Sequence, residues 1–139
     1  MPKREVVSSS KKSIQIRVRC WVEVDGVKFF GPGPADLLQR IVDYGSIAKA
    51  AKSMDMSYKK AWALIDDMNR MANQPYVITN KGGRRGGGAE VTPAGKKAMA
   101  DFKRLNNKIA SIIRLERAFL TNFSPRRGGR KVGAENKIN

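Results

Sequence analysis

Histidine is absent from this chain of 139 residues, and cysteine occurs once, as Cys20. The first absence removes imidazole acid–base chemistry, Ser-His-Asp and Cys-His nucleophile arrangements, and every zinc site that needs imidazole. The second removes an internal disulfide and any thiolate cluster. Carboxylates are few, 12 against 28 lysines and arginines, and they are scattered. The adjacent pair Asp66-Asp67 would diverge by about 100° on a helix, a poor geometry for a catalytic dyad. The chain is therefore not expected to be an enzyme, and no cofactor or metal site is expected. Long apolar runs are missing too. None approaches the roughly 20 residues needed to cross a bilayer, and the opening Met1-Pro-Lys-Arg lacks the apolar stretch of a signal peptide. A cytoplasmic location with no membrane partner is expected.

The sequence is rich in positive charge, with a formal net charge of +16 and a pI near 10.5. Such a surplus repels itself in a compact state and suits a polyanionic partner. Nucleic acid is the first candidate and an anionic membrane surface the second. With 41% hydrophobic residues, the chain can bury one modest core, which fits a single domain with a tail at each end.

Residues 1–13 are polar and charged and read as a flexible basic arm. From Ile14 the pattern alternates. Ile14, Ile16, Val18, Cys20, Val22 and Val24 fall on one face, with Gln15, Arg17, Arg19, Trp21 and Glu23 on the other. That period of two is the mark of a half-buried strand, and it places Cys20 in the core. Asp25-Gly26 is a two-residue hairpin signal, with Val27 to Phe30 returning. Gly31-Pro-Gly-Pro34 breaks the chain, and Pro34 suits the first position of a helix whose apolar residues Leu37, Leu38, Ile41 and Val42 run to Gly45. Ser46 caps a short helix with Ile47, Ala50, Ala51 and Met54 on one face. After a turn at Asp55-Met56, Ser57 caps a third helix, with Ala61, Ile65, Met68 and Ala72 inward. Two short strands follow, Tyr76 to Thr79 and Ala89 to Val91, around Lys81-Gly-Gly-Arg-Arg-Gly-Gly-Gly88. Thr92-Pro93 opens a last helix over 93–120. In it Ala98, Phe102, Leu105, Ile109, Ile112 and Phe119 trace a heptad seam, broken once at Glu116. The stretch 124–139, with Arg126, Arg127, Arg130 and Lys131 among glycines, reads as a disordered basic tail.

Residues 46–72 have the layout of a helix-turn-helix. The outward face of the longer helix offers Ser57, Tyr58, Lys59, Lys60 and Ala63. Lysine reaches guanine acceptors or phosphates, a tyrosine hydroxyl reaches phosphate, and alanine meets a thymine methyl. A helical hairpin with a solvated lysine face would carry the same residues; the net charge and the following hairpin favour DNA. Trp62 borders the inward stripe and is read as packing. Asp66 and Asp67 are expected to face away from DNA or to orient neighbouring cations. The Lys81–Gly88 loop reads as a wing, whose glycines allow close approach while Lys81, Arg84 and Arg85 hold backbone or minor groove. A solvated hairpin is the plainer alternative. A nucleotide-phosphate loop is disfavoured, because the loop lacks a Gly-Lys-Ser/Thr ending and sits between strands. Ser46 could meet a phosphate at its helix N-terminus.

These residues resemble a known family. Gly31-Pro-Gly-Pro34, Gly45-Ser46-Ile47, Ala50-Ala51-Lys52, Ser57-Tyr58-Lys59-Lys60-Ala61-Trp62 and Asp67-Met68-Asn69 resemble the N-terminal DNA-binding domain of ModE, the molybdate-responsive bacterial regulators. The likeness extends through Gly82-Gly83, Gly86-Gly87-Gly88-Ala89 and Val91-Thr92-Pro93-Ala94-Gly95, and covers roughly residues 14–120. A more distant likeness is to the LysR-type winged helix. The resemblance implies a homodimer that binds an inverted repeat in double-stranded DNA, with the helix from Ser57 in the major groove. It also implies dimerisation through the terminal helix, helped by the N-terminal strands. The family usually has glycine where this chain has Asp55. ModE regulators also carry C-terminal molybdate-binding domains that this sequence does not reach, so molybdate sensing is not expected to carry over.

The expected fold is mainly α with small β-hairpins: a winged helix-turn-helix domain over 14–123 with a long C-terminal dimerisation helix. Phe102, Leu105, Ile109, Ile112 and Phe119 are the expected dimer interface. The expected function is a sequence-specific transcription regulator, with a small-molecule effector or a separate sensor protein as further partners. The alternatives are a non-specific architectural DNA binder and a small-oxyanion sensor.

Overall fold

The computed structural model describes residues 13–80 and 88–124. Nearly all of the expected arm, the loop of the expected wing and almost the whole C-terminal tail lie outside these residues. The described chain forms two compact units, one of Val18–Ala110 and a second that includes residues 13–17 and 111–124.

The first unit opens with a hairpin of β1 (Val22–Val24) and β2 (Val27–Phe30). Asp25 and Gly26 both have positive φ, 51° and 80°, the pairing that a twisted two-residue turn requires. The register slips between Val22, opposite Phe30, and Glu23, opposite Lys28. This bulge sets Phe29 outside the ladder, so Phe29 can pack on the core beside the buried Phe30. The long strand expected from Ile14 is confined to these three residues, because residues 14–20 pair with no strand among those described. Most of its apolar row is uncovered: Ile14, Val18, Val22 and Val24 are exposed and Ile16 is half-buried. Cys20 is half-buried rather than core, and its thiol donates to Asn106 Oδ1 at 3.3 Å.

Helix α1 (Pro32–Tyr44) starts two residues before Pro34 and ends at Gly45, whose φ of 67° forms a left-handed cap that bonds back to Ile41. Leu37, Leu38 and Ile41 are fully buried, whereas Val42 lies on the exposed side. Helix α2 (Ile47–Ser53) buries Ile47, Ala50 and Ala51. Arg40 of α1 donates to the Ser53 carbonyl and hydroxyl at 3.1 and 3.0 Å, which ties the two helices together. The turn between α2 and α3 (Tyr58–Met71) contains Asp55 at φ 54°.

Strands β3 (Val77–Asn80) and β4 (Gly88–Val91) form a second antiparallel pair, Val77 opposite Val91. The N–H of Ala89 donates to the carbonyl of Gly45 at 3.1 Å, so β4 leans on the end of α1. Helix α4 (Pro93–Leu115) is capped by Thr92, whose hydroxyl accepts from the Gly95 N–H and donates to the Pro75 carbonyl. Gly95 sits so tightly on the second hairpin that a Cβ there would lie 2.7 Å from the Tyr76 carbonyl oxygen. The helix expected to run to 120 ends as an α-helix at Leu115. A 3-10 segment, Arg117–Asn122, follows Glu116, the residue that breaks the heptad pattern. The core runs from Phe30 to Val91, with Phe30 edge-on to Tyr76 and to Phe102.

Candidate nucleic-acid interface

The arrangement of α2 and α3 follows from two serines. Ser46 Oγ accepts from the Lys49 N–H at 3.1 Å, and Ser57 Oγ accepts from the Lys60 N–H at 3.0 Å. Each oxygen satisfies an amide that the first helical turn leaves without a partner, worth about 1 kcal/mol. These caps fix where each helix begins, and hence which side chains of α3 turn outward. Ala61, Ile65 and Met68 are buried against α1 and α2, where Ala50, Ala51 and Ala61 allow close approach.

Ser57, Tyr58, Lys59, Lys60 and Ala63 are all exposed; Lys59, Lys60 and Ala63 point away from the buried stripe, whereas Ser57 and Tyr58 lie on its side, one turn before Ala61 at the open end of the helix. The five expected recognition-helix residues thus lie on open surface at one end of α3, with their backbone held by the Ser57 cap. Tyr58 is 54% exposed and meets Trp62 edge-on, ring centres 6.3 Å apart. Trp62 is half-buried against the core, so its indole braces the tyrosine from beneath. Lys49 and Lys52 of α2 are exposed as well. Asp67 accepts from Arg70 at 2.6 Å, which answers the expectation that one carboxylate orients a cation. Asp66 differs: it is exposed, one helical turn from Ala63 on the outward side.

One functional side chain escaped the sequence reading. The Asn69 carbonyl oxygen accepts from the backbone N–H groups of Tyr76 and Val77, at 2.8 and 3.2 Å, and its amide donates to the Val77 carbonyl at 3.1 Å. Asn69 thereby clamps the outward-facing helix to the first strand of the second hairpin. Lys81, Arg84 and Arg85 lie outside the described residues; β3 and β4 place the two ends of their loop side by side at Asn80 and Gly88.

The expected dimer residues divide by environment. Phe102 is taken up by its own core, against Phe30 at 5.2 Å, and Ile109 is half-buried. Leu105, Ile112 and Phe119 are exposed, as are Leu115 and Phe123. Asp101 lies on the same helix, and hydrogen bonds from Lys97 and then Arg104 hold its carboxyl below the usual carboxylate range. No helix among the described residues is long and apolar enough to cross a membrane.

No protein-family profile matches the chain. Individual proteins do. The molybdenum transport protein ModE of Azotobacter vinelandii is 42% identical over 77 residues, 55% of this chain. The DNA-binding transcriptional dual regulator ModE of Escherichia coli K12 is 39% identical over 69 residues, half of the chain. Over these residues the chain is similar to ModE proteins. A third protein, the molybdenum transport protein ModE of Herbaspirillum seropedicae, is 30% identical over 107 residues, 73% of the chain. The chain spans only 28%, 26% and 40% of these three proteins in turn.

Proposed function

We propose that this chain is a sequence-specific DNA-binding regulator that works in the cytoplasm as a homodimer and reads an inverted repeat. The observation that carries this reading is the capped N-terminal end of α3, with Tyr58, Lys59, Lys60 and Ala63 exposed and the helix tied through Asn69 to the second hairpin. A net charge of +16 draws such a face to a polyanion, and a relative carrying the same domain is itself named a DNA-binding regulator.

In this reading Lys59 and Lys60 grip phosphate or guanine edges, Ser57 and Tyr58 bond phosphate, and Ala63 packs on a thymine methyl. Lys81, Arg84 and Arg85 hold the flanking backbone or the minor groove, and Ser46 lies beside a phosphate. Two copies associate through Leu105, Ile109, Ile112 and Phe119, and the uncovered row Val18, Val22 and Val24 adds to that contact. The exposed apolar side chains support this pairing, since a surface with so many of them gains by covering them.

The test is operator binding by Lys59→Ala and Lys60→Ala, each with folding checked by circular dichroism. A loss of about 1–3 kcal/mol is expected where the lysine meets a base, and a uniform loss with a shallower salt slope where it meets phosphate. Unchanged affinity in both variants would refute the recognition-helix assignment. Sedimentation of the wild type checks the dimer, and Ile112→Asp with Phe119→Asp should leave a monomer.

A further inference from the structure

Lys59, Ala63, Asp66 and Arg70 are all exposed and recur at steps of four, three and four, so they form one outward line along α3. The line has an unusual charge order. Cations stand at its two ends, and an alanine and a carboxylate stand in the middle. Lys59 and Arg70 are about 16 Å apart along the axis at 1.5 Å per residue, while a major groove is about 12 Å wide. Their side chains can therefore reach the phosphate rails on both sides of a groove while the middle of the helix faces the base edges. A carboxylate at either end would meet phosphate and be repelled; in the middle it meets bases.

Asp67 is already engaged by Arg70. Asp66 has no ion pair among the described residues and lines a shallow hollow with Ala63, Asp67, Asn69 and Arg70. The Asn69 amide is spent on Tyr76 and Val77, so Asp66 is the polar group in that hollow free to turn outward. An ionised carboxylate only accepts hydrogen bonds, and among major-groove edges cytosine offers its N4 amino group without an adjacent acceptor on the same base. We infer that Asp66 is a specificity-determining residue that selects cytosine at one base pair of each half-site. This rests on the DNA-binding reading above.

The experiment measures the affinity of wild type, Asp66→Ala and Asp66→Asn for every single-base variant of the selected site, at fixed salt. Wild type should prefer cytosine at one position by roughly 5- to 100-fold. Asp66→Ala should lose that preference there and keep the others. Asp66→Asn should turn it toward adenine, whose N6 and N7 an amide can bond together. If both variants instead bind every sequence more tightly by the same factor, the carboxylate only repels backbone and the inference fails while the DNA-binding reading stands. If wild type shows no base preference anywhere, both fail together.

Discussion

Replacing Asn69 by alanine removes three hydrogen bonds at once, to the N–H groups of Tyr76 and Val77 and to the Val77 carbonyl. Each is a neutral bond at a half-buried site, worth about 0.5–1.5 kcal/mol net. Water can reach part of this region, so the lower half of the summed range applies, a loss of about 1.5–3 kcal/mol. For a chain of this size that lowers the melting temperature by roughly 5–15 °C. Urea unfolding should show a lower midpoint with an unchanged slope. Hydrogen exchange should show Tyr76 and Val77 losing protection ahead of Leu37 and Leu38, because the hairpin is released before the core opens. Asn69→Asp keeps the acceptor but sets a carboxylate against the Val77 carbonyl, so its loss should be intermediate. A loss under about 0.5 kcal/mol for Asn69→Ala, with the exchange pattern unaltered, would refute the clamp.

Other substitutions test the supports of the same face. Gly95→Ala would place its Cβ 2.7 Å from the Tyr76 carbonyl oxygen and from Val91 Cγ1; overpacking of about 1–3 kcal/mol should appear in urea midpoints. Ser46→Ala and Ser57→Ala should each cost about 1 kcal/mol in the same assay through loss of the cap. Asp55, at φ 54°, should tolerate Asp55→Gly without loss, whereas Asp55→Val should destabilise by about 1–2 kcal/mol.

Local chemistry was legible in the sequence. Asp25-Gly26 turns where its φ angles allow, Ser46, Ser57 and Thr92 cap the helices they precede, and Gly45 ends α1. Each of these depends on a few adjacent residues. What failed depended on distant partners. The alternation from Ile14 to Val24 describes a strand only where another strand lies alongside, and the bulge at Phe29 interrupts the pairing that exists. Trp21, placed on the polar face, covers Gly31 with its ring and carries the Lys28 ammonium 4.9 Å from its centre. Phe102 fits a heptad seam by spacing, and its edge-on packing against Phe30, 72 positions earlier, gave no sign in the sequence. Asn69 gave no periodic or capping signal, since its partners are seven and eight residues away on a strand. The exposure of Lys59, Lys60 and Ala63 was legible because the helix period sets them away from Ala61, Ile65 and Met68.

The most direct test of the central claim is selection of bound duplexes from a random pool at physiological salt, followed by affinity measurements across a salt series. The account predicts an enriched inverted repeat, bound at least about a thousandfold more tightly than random DNA. A pool that stays random, with affinity for all duplexes collapsing alike as salt rises, would contradict it.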